Sequence, residues 1–186
     1  LAAATFLLLT GCHAPPAFDG PVRVLRTRHF VVTTDADLAR IGSATAALDP
    51  AFERSCRRWG HTPERGERHV LLFARRDRWV REYLQATGHE PETIATGGFE
   101  VEAHYDPSRR RIATFVADGA RSLRSRLAHE VSHVVLHERL GETRAAWLSE
   151  GVAELHALEA ELDGGRAWRA LALVRLALLT SRGQRL

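Results

Sequence analysis

Lysine is missing altogether. All 26 basic side chains are arginine, against 23 acidic ones, and the formal net charge is only +3. The arginines are spread along the chain with no aromatics interleaved among them, so no nucleic-acid partner is expected. The pattern reads instead as a coding bias. Cysteine is scarce: Cys12 and Cys56 lack the spacing of a zinc finger or a redox pair. Cys56 lies in an amphipathic stretch and reads as a half-buried structural thiol. There is no internal repeat and no low-complexity run.

The apolar N-terminal stretch is too short to span a bilayer and ends in small residues before a cysteine. Leu9-Thr10-Gly11-Cys12 resembles a bacterial lipobox. Neither an initiator Met nor a basic segment precedes it, so residues 1–11 read as part of a signal peptide. Cys12 is then the lipidated residue, and 12–20, with Pro15 and Pro16, a tether to the membrane surface. The expected location is the bacterial cell envelope, as an exported lipoprotein. An ordinary secretory signal with a lone cysteine is the alternative.

Residues 21–186 are expected to form one domain. Residues 22–34 read as extended, with the clearest strand core at 29–33. A helical pattern follows from Asp35 or Asp37 to about Trp59, with Leu38, Ile41, Ala44 and Leu48 at helical spacing and Pro50 as its divider. A short strand at 70–74, a helix at 77–87 and a loop at 88–98 come next. Strands at 99–105 and 111–116 are joined by Asp106-Pro107-Ser108-Arg109, which has turn chemistry; Arg109, Arg110 and Arg111 belong to that turn. An apolar helix at 168–179 comes near the end, and the abrupt finish at Gln184-Arg185-Leu186 reads as truncation before a further lobe.

The most informative segment is His129-Glu130-Val131-Ser132-His133. Two histidines four apart on a helix diverge by only about 40°. Such a pair can hold one Zn²⁺, and one further protein ligand leaves a fourth position for water. The intervening Glu130 sits beside the ion, where it can accept a proton from that water. At 100° per residue Leu123, Leu127, Val131, Val134 and Val135 form an apolar stripe, with both histidines on nearly the opposite side. The same phase also fits a polar face turned to bulk water.

Downstream, Ala146-Trp147-Leu148-Ser149-Glu150-Gly151-Val152-Ala153-Glu154 reads as a second helix after a break near Gly141. Leu148, Val152, Leu155 and Leu162 line one face and Glu150 and Glu154 the other, so a carboxylate there can complete a His₂Glu set. HExxH followed by WLxEGxAE resembles the gluzincin metallopeptidases, in particular the aminopeptidase-N-like and peptidase MA-like groups. The motif likeness covers residues 127–154. It implies an α+β, zincin-like lobe: a mixed twisted sheet packed on helices, with the HExxH helix lining a cleft. It also implies Glu150 as third ligand to a single Zn²⁺, Glu130 as catalytic base, and Glu154 as support for a ligating histidine. The strand at 99–105 becomes the candidate edge against which an extended peptide or protein substrate would pair.

The expected activity is hydrolysis of peptides by metal-activated water. Two readings compete with it. One is a non-catalytic envelope-anchored zinc-binding or scaffold protein, whose closed site would need a fourth ligand such as His137 or His156. The other is a solvated helix pair with no metal. Gluzincins place a Tyr or His late in the chain to stabilise the oxyanion, and Tyr83 and Tyr105 both lie upstream of the motif.

Overall fold

The computed structural model describes residues 18–63, 66–87, 102–116, 122–141 and 146–162. The signal-peptide segment, Cys12, the loop at 88–98 and the helix at 168–179 lie outside them. Among the described residues no helix is long and apolar enough to cross a membrane.

The protein is α+β, with a mixed five-stranded sheet. The first extended stretch is not one strand but two, β1 (Arg23–Arg26) and β2 (Phe30–Thr34), paired antiparallel. The cause is local. The Thr27 amide donates to the Phe30 carbonyl at 2.9 Å. Asp49 then accepts from the Thr27 hydroxyl and from the amides of Arg28 and His29, at 2.7, 2.8 and 3.1 Å. A turn whose polar groups are satisfied this way reverses the chain without an Asn-Gly signal.

The next helical pattern is divided too, though not at Pro50. Helix α1 (Leu38–Ala46) is capped by Asp37, whose carboxylate accepts from the Ala39 amide, and α2 (Leu48–Trp59) starts after Ala47. Pro50 falls inside the first turn of α2, where its missing N–H would have had no partner within the helix. Strand β3 (Arg68–Phe73), helix α3 (Arg76–Thr87), strand β4 (Ala103–Asp106) and strand β5 (Arg111–Phe115) complete the sheet. Its order is β1-β2-β3-β5-β4, with β3 parallel to both β2 and β5 and with β4 antiparallel to β5. Among the described residues β4 is therefore an edge strand. Between β4 and β5 a short 3-10 turn, Pro107–Arg109, is held by Asp106, and Arg110 closes it with φ 49°.

Alternation along the strands feeds two cores. On one face Phe30, Val32, Val70, Leu72, Tyr105 and Ile112 meet Ile41, Leu48, Phe52 and Cys56 of α1 and α2 and the apolar stripe of helix α4 (Leu123–Leu140). On the other, Leu71, Phe73, Ala113 and Phe115 enclose Trp79 of α3, whose indole N–H donates to the Ala113 carbonyl at 2.9 Å. Each large apolar side chain so buried contributes roughly 1.5–3 kcal/mol. Cys56 is fully buried, beyond the half-burial its pattern suggested. Leu127, Val131, Val134 and Val135 face this core, so α4 lies across the sheet with its histidines turned the other way.

Candidate metal centre

Helix α4 is started by Ser122, whose hydroxyl accepts from the Ser125 amide at 3.2 Å. It ends at Gly141, where φ is 70° and a side chain would be strained; the chain then returns as α5 (Ala146–Glu161). The two helices are tied at their far ends. The Ser122 amide donates to Glu161 at 3.0 Å and the Ser125 hydroxyl to the Ala157 carbonyl at 3.2 Å. The packed face of α5 is not the leucine stripe. Ala153, His156 and Ala157 are buried, while Leu148 is exposed. Two small residues at the contact let the helix backbones approach closely, and that proximity sets the site.

Across this hairpin His129, His133 and Glu150 converge as a group able to hold a metal ion. The two Nε2 atoms are 3.2 Å apart. Glu150 straddles them, with Oε2 3.5 Å from His129 Nε2 and Oε1 3.5 Å from His133 Nε2. A tetrahedral zinc with bonds of about 2.0–2.1 Å spaces its donor atoms roughly 3.3–3.4 Å apart. The imidazole pair thus stands near the separation such an ion imposes, while the two 3.5 Å contacts end on different oxygens of Glu150; one donor atom from each residue lies within 4.8 Å of the others. Both imidazoles are mostly buried, whereas the Glu150 side chain is 61% exposed, so the group opens to solvent on the Glu150 side.

The outer nitrogens are also engaged. His133 Nδ1 lies 2.9 Å from the Ser149 hydroxyl, and His129 Nδ1 lies 3.4 Å from Glu154 Oε1. The Ser149 contact is a hydrogen bond and directs His133 Nε2 inward, as outer partners of metal-binding histidines do; the Glu154 contact is an ion-pair distance without hydrogen-bond geometry. The motif resemblance gave Glu154 a role in supporting a ligating histidine, and its carboxylate lies beside the His129 ring. Ser149 was missed in the sequence. It is the variable residue of WLxEG, one step before Glu150, and nothing in its type announces a role. Burial depresses the His133 imidazole below its ordinary value against the opposing pull of Glu150 and Glu154, which favours the neutral, ligating form.

Glu130 is buried between α4 and its surroundings. Burial, reinforced by the negative charge of Glu150, pushes its carboxyl up to about 8. His137 and His156 stand apart from the group. The His137 ring meets Tyr105 edge-on at 6.0 Å. His156 Nε2 lies 3.1 Å from an Arg58 guanidinium nitrogen, a contact between α5 and α2. Arg109 pairs with Asp106 within the hairpin, while Arg110 reaches Glu138 on α4 and Arg111 reaches Glu82 on α3, so the arginine run ties the hairpin to its neighbours.

Compared with models of known protein families and with curated proteins, the chain matches none.

Proposed function

We propose that the protein is a zinc-dependent peptide hydrolase of gluzincin type, built on a zincin-like lobe. The observation that carries the reading is the convergence of His129 Nε2 and His133 Nε2, 3.2 Å apart, on a Glu150 carboxylate whose two oxygens each lie 3.5 Å from one of them. Zinc held there supplies a water of lowered pKa and an electrophile for a scissile carbonyl.

The chain's own groups do the rest. His129 and His133 donate as neutral imidazoles; the Ser149 hydroxyl holds the His133 ring, and the Glu154 carboxylate faces His129 Nδ1. Glu130, next to His129 in the chain and buried, is the base. It accepts the proton of the attacking water on a carboxylate oxygen and returns it to the leaving amine. Edge strand β4 offers backbone groups to an extended substrate.

A non-catalytic zinc-binding protein is the competing reading. A closed structural site takes four protein ligands, and among the described residues the group has three. Anchorage at the envelope through a lipidated Cys12 belongs to the same proposal and rests on Leu9-Thr10-Gly11-Cys12; mass spectrometry of the protein extracted from membranes should find that cysteine acylated.

The test is zinc content per chain, measured together with chelator-sensitive cleavage of a mixed peptide library. One zinc and chelator-sensitive cleavage are expected. Glu130→Gln should keep its zinc and lose cleavage. Undiminished cleavage by that variant refutes Glu130 as the base, and a wild-type protein that takes up no zinc refutes the whole reading.

A further inference from the structure

Large apolar side chains lie open at one end of the helical hairpin. Trp147 is 78% exposed, Leu140 50% and Leu148 39%. Single exposed apolar residues are ordinary, but a group of them beside a polar site marks a binding surface. Here the position is specific. Trp147 precedes Glu150 by three residues, one turn of α5, on the flank of that helix where Glu150 and Glu154 stand. Leu140 follows His133 by seven residues on α4; two turns bring it back to within about 20° of the His133 direction. The chain reverses between Gly141 and Ala146, so the end of α4 and the start of α5 lie at the same end of the hairpin. The apolar rim therefore continues the row of metal-ligating side chains on both helices, on the side where Glu150 is solvent-exposed.

We infer that Trp147, with Leu140, forms a subsite that receives a bulky apolar side chain, aromatic or long aliphatic, of a peptide lying against the metal triad. This inference rests on the peptidase reading and adds the substrate class. The occupant is argued from continuity: a peptide whose carbonyl reaches the triad projects its neighbouring side chains within a few ångströms of it, and an open indole is the surface there that rewards an apolar one. A flat ring covers such a side chain with little loss of rotamer freedom.

Two assays test it. The first compares cleavage of matched peptides that carry Phe, Leu, Ser or Gly beside the scissile bond. The wild-type protein should favour Phe and Leu by at least roughly 10-fold in kcat/KM, within the 10–200-fold range that apolar pockets give. Trp147→Ala should abolish the preference and Trp147→Phe retain it. The second uses zinc-loaded Glu130→Gln and reads binding of the labelled Phe and Gly peptides by anisotropy, with no turnover needed. The Phe peptide should bind tighter, and adding Trp147→Ala should remove the difference.

Cleavage or binding indifferent to the neighbouring side chain, or a preference that survives Trp147→Ala, overturns the subsite while leaving the hydrolase reading intact. Loss of dimerisation in Trp147→Ala, read by sedimentation of a dimeric wild type, overturns it by giving the face to a second copy of the chain. No chelator-sensitive cleavage of any peptide refutes the hydrolase reading, and the subsite falls with it.

Discussion

Arg68 grips both carboxylate oxygens of Glu138, Nε to Oε1 and Nη2 to Oε2, each at 2.7 Å. Glu138 comes nine residues after His129 on α4, which at 100° per residue is half a turn away in direction. The face of α4 opposite the imidazoles is thus clamped to the start of β3. His61 adds a contact at 3.0 Å and Arg110 donates from the β4–β5 turn. Both guanidinium and carboxylate of the central pair are almost wholly buried, and Arg68 stacks on Phe52. The clamp fixes the rotation of α4 and so the direction in which His129 and His133 point.

Removing the carboxylate charge should be costly. Glu138→Gln leaves two guanidinium groups without their counter-ion, and breaking a buried pair in this way typically costs about 3–5 kcal/mol. Urea unfolding of the variant measures it. Arg26→Ala, which breaks an exposed pair with Glu67, should cost less than about 1 kcal/mol. Equal effects of the two would deny the clamp its importance.

The protein should lose stability in mild acid. Burial alone would raise the Glu138 carboxyl, but hydrogen bonds from Arg68, His61 and Arg110 outweigh it and hold the group below its ordinary range. His156 is pushed down to about 4 by burial and by the neighbouring Arg58 charge. A group depressed in the folded state contributes stability above its unfolded value, and that contribution is lost as the pH falls through the folded one. For His156 the window runs from 6.5 down to about 4; the loss from Glu138 starts lower, below 4.5. Tm should fall progressively from pH 6.5 downward, and His156→Gln should flatten the upper part of that fall. A Tm unchanged between pH 7 and 4 contradicts the His156 assignment, and one that does not fall further below pH 4.5 contradicts that of Glu138.

The outer partners of the histidines should matter to the metal and little to the fold. Ser149→Ala and Glu154→Ala should each weaken zinc about 10–100-fold, the usual consequence of removing such support. Competition with a chromogenic chelator gives the affinities. Both side chains touch the imidazoles from the partly exposed helix α5, so thermal unfolding of the zinc-free variants should match wild type. Wild-type zinc affinity in both would leave the histidine tautomers to other groups.

Cys56 should be inert while the protein is folded. Desolvation, with the nearby Glu138 charge added, pushes its thiol up to about 11, and the side chain is buried against the sheet. An aromatic disulfide reagent at pH 8 should label it only after urea is added. Prompt labelling of the native protein would count against the packing of α2.

The part of the site carried by helical phase was legible in the chain itself. Periodicity placed His129 and His133 opposite the apolar stripe, and the motif resemblance picked Glu150 and Glu154 from the second helix. The Glu138 clamp was not legible, because its partners His61, Arg68 and Arg110 lie 77, 70 and 28 residues away. Near a helix end, a glutamate looks solvated. The leucines of α5 misled for a related reason: alanines form the contact with α4, and alanine carries little weight in a pattern of hydrophobicity. In the N-terminal half the element types followed from composition, but their borders did not. Asp49 reaches back to build the β1–β2 turn, and Pro50 is accommodated in a first turn instead of ending a helix.

Ala153 and Ala157 hold a position of leverage that their size conceals. All three donors of the triad come from one hairpin, whose arms are joined where the Ala157 carbonyl accepts from Ser125 of α4, with both alanine side chains buried. A leucine at either place would act as a wedge, pushing Glu150 outward from the imidazoles while every donor atom stayed chemically intact. The capacity of this group to take an ion is accordingly a gauge of how tightly two backbones fit, and drift at these alanines would remove it as surely as the loss of a histidine.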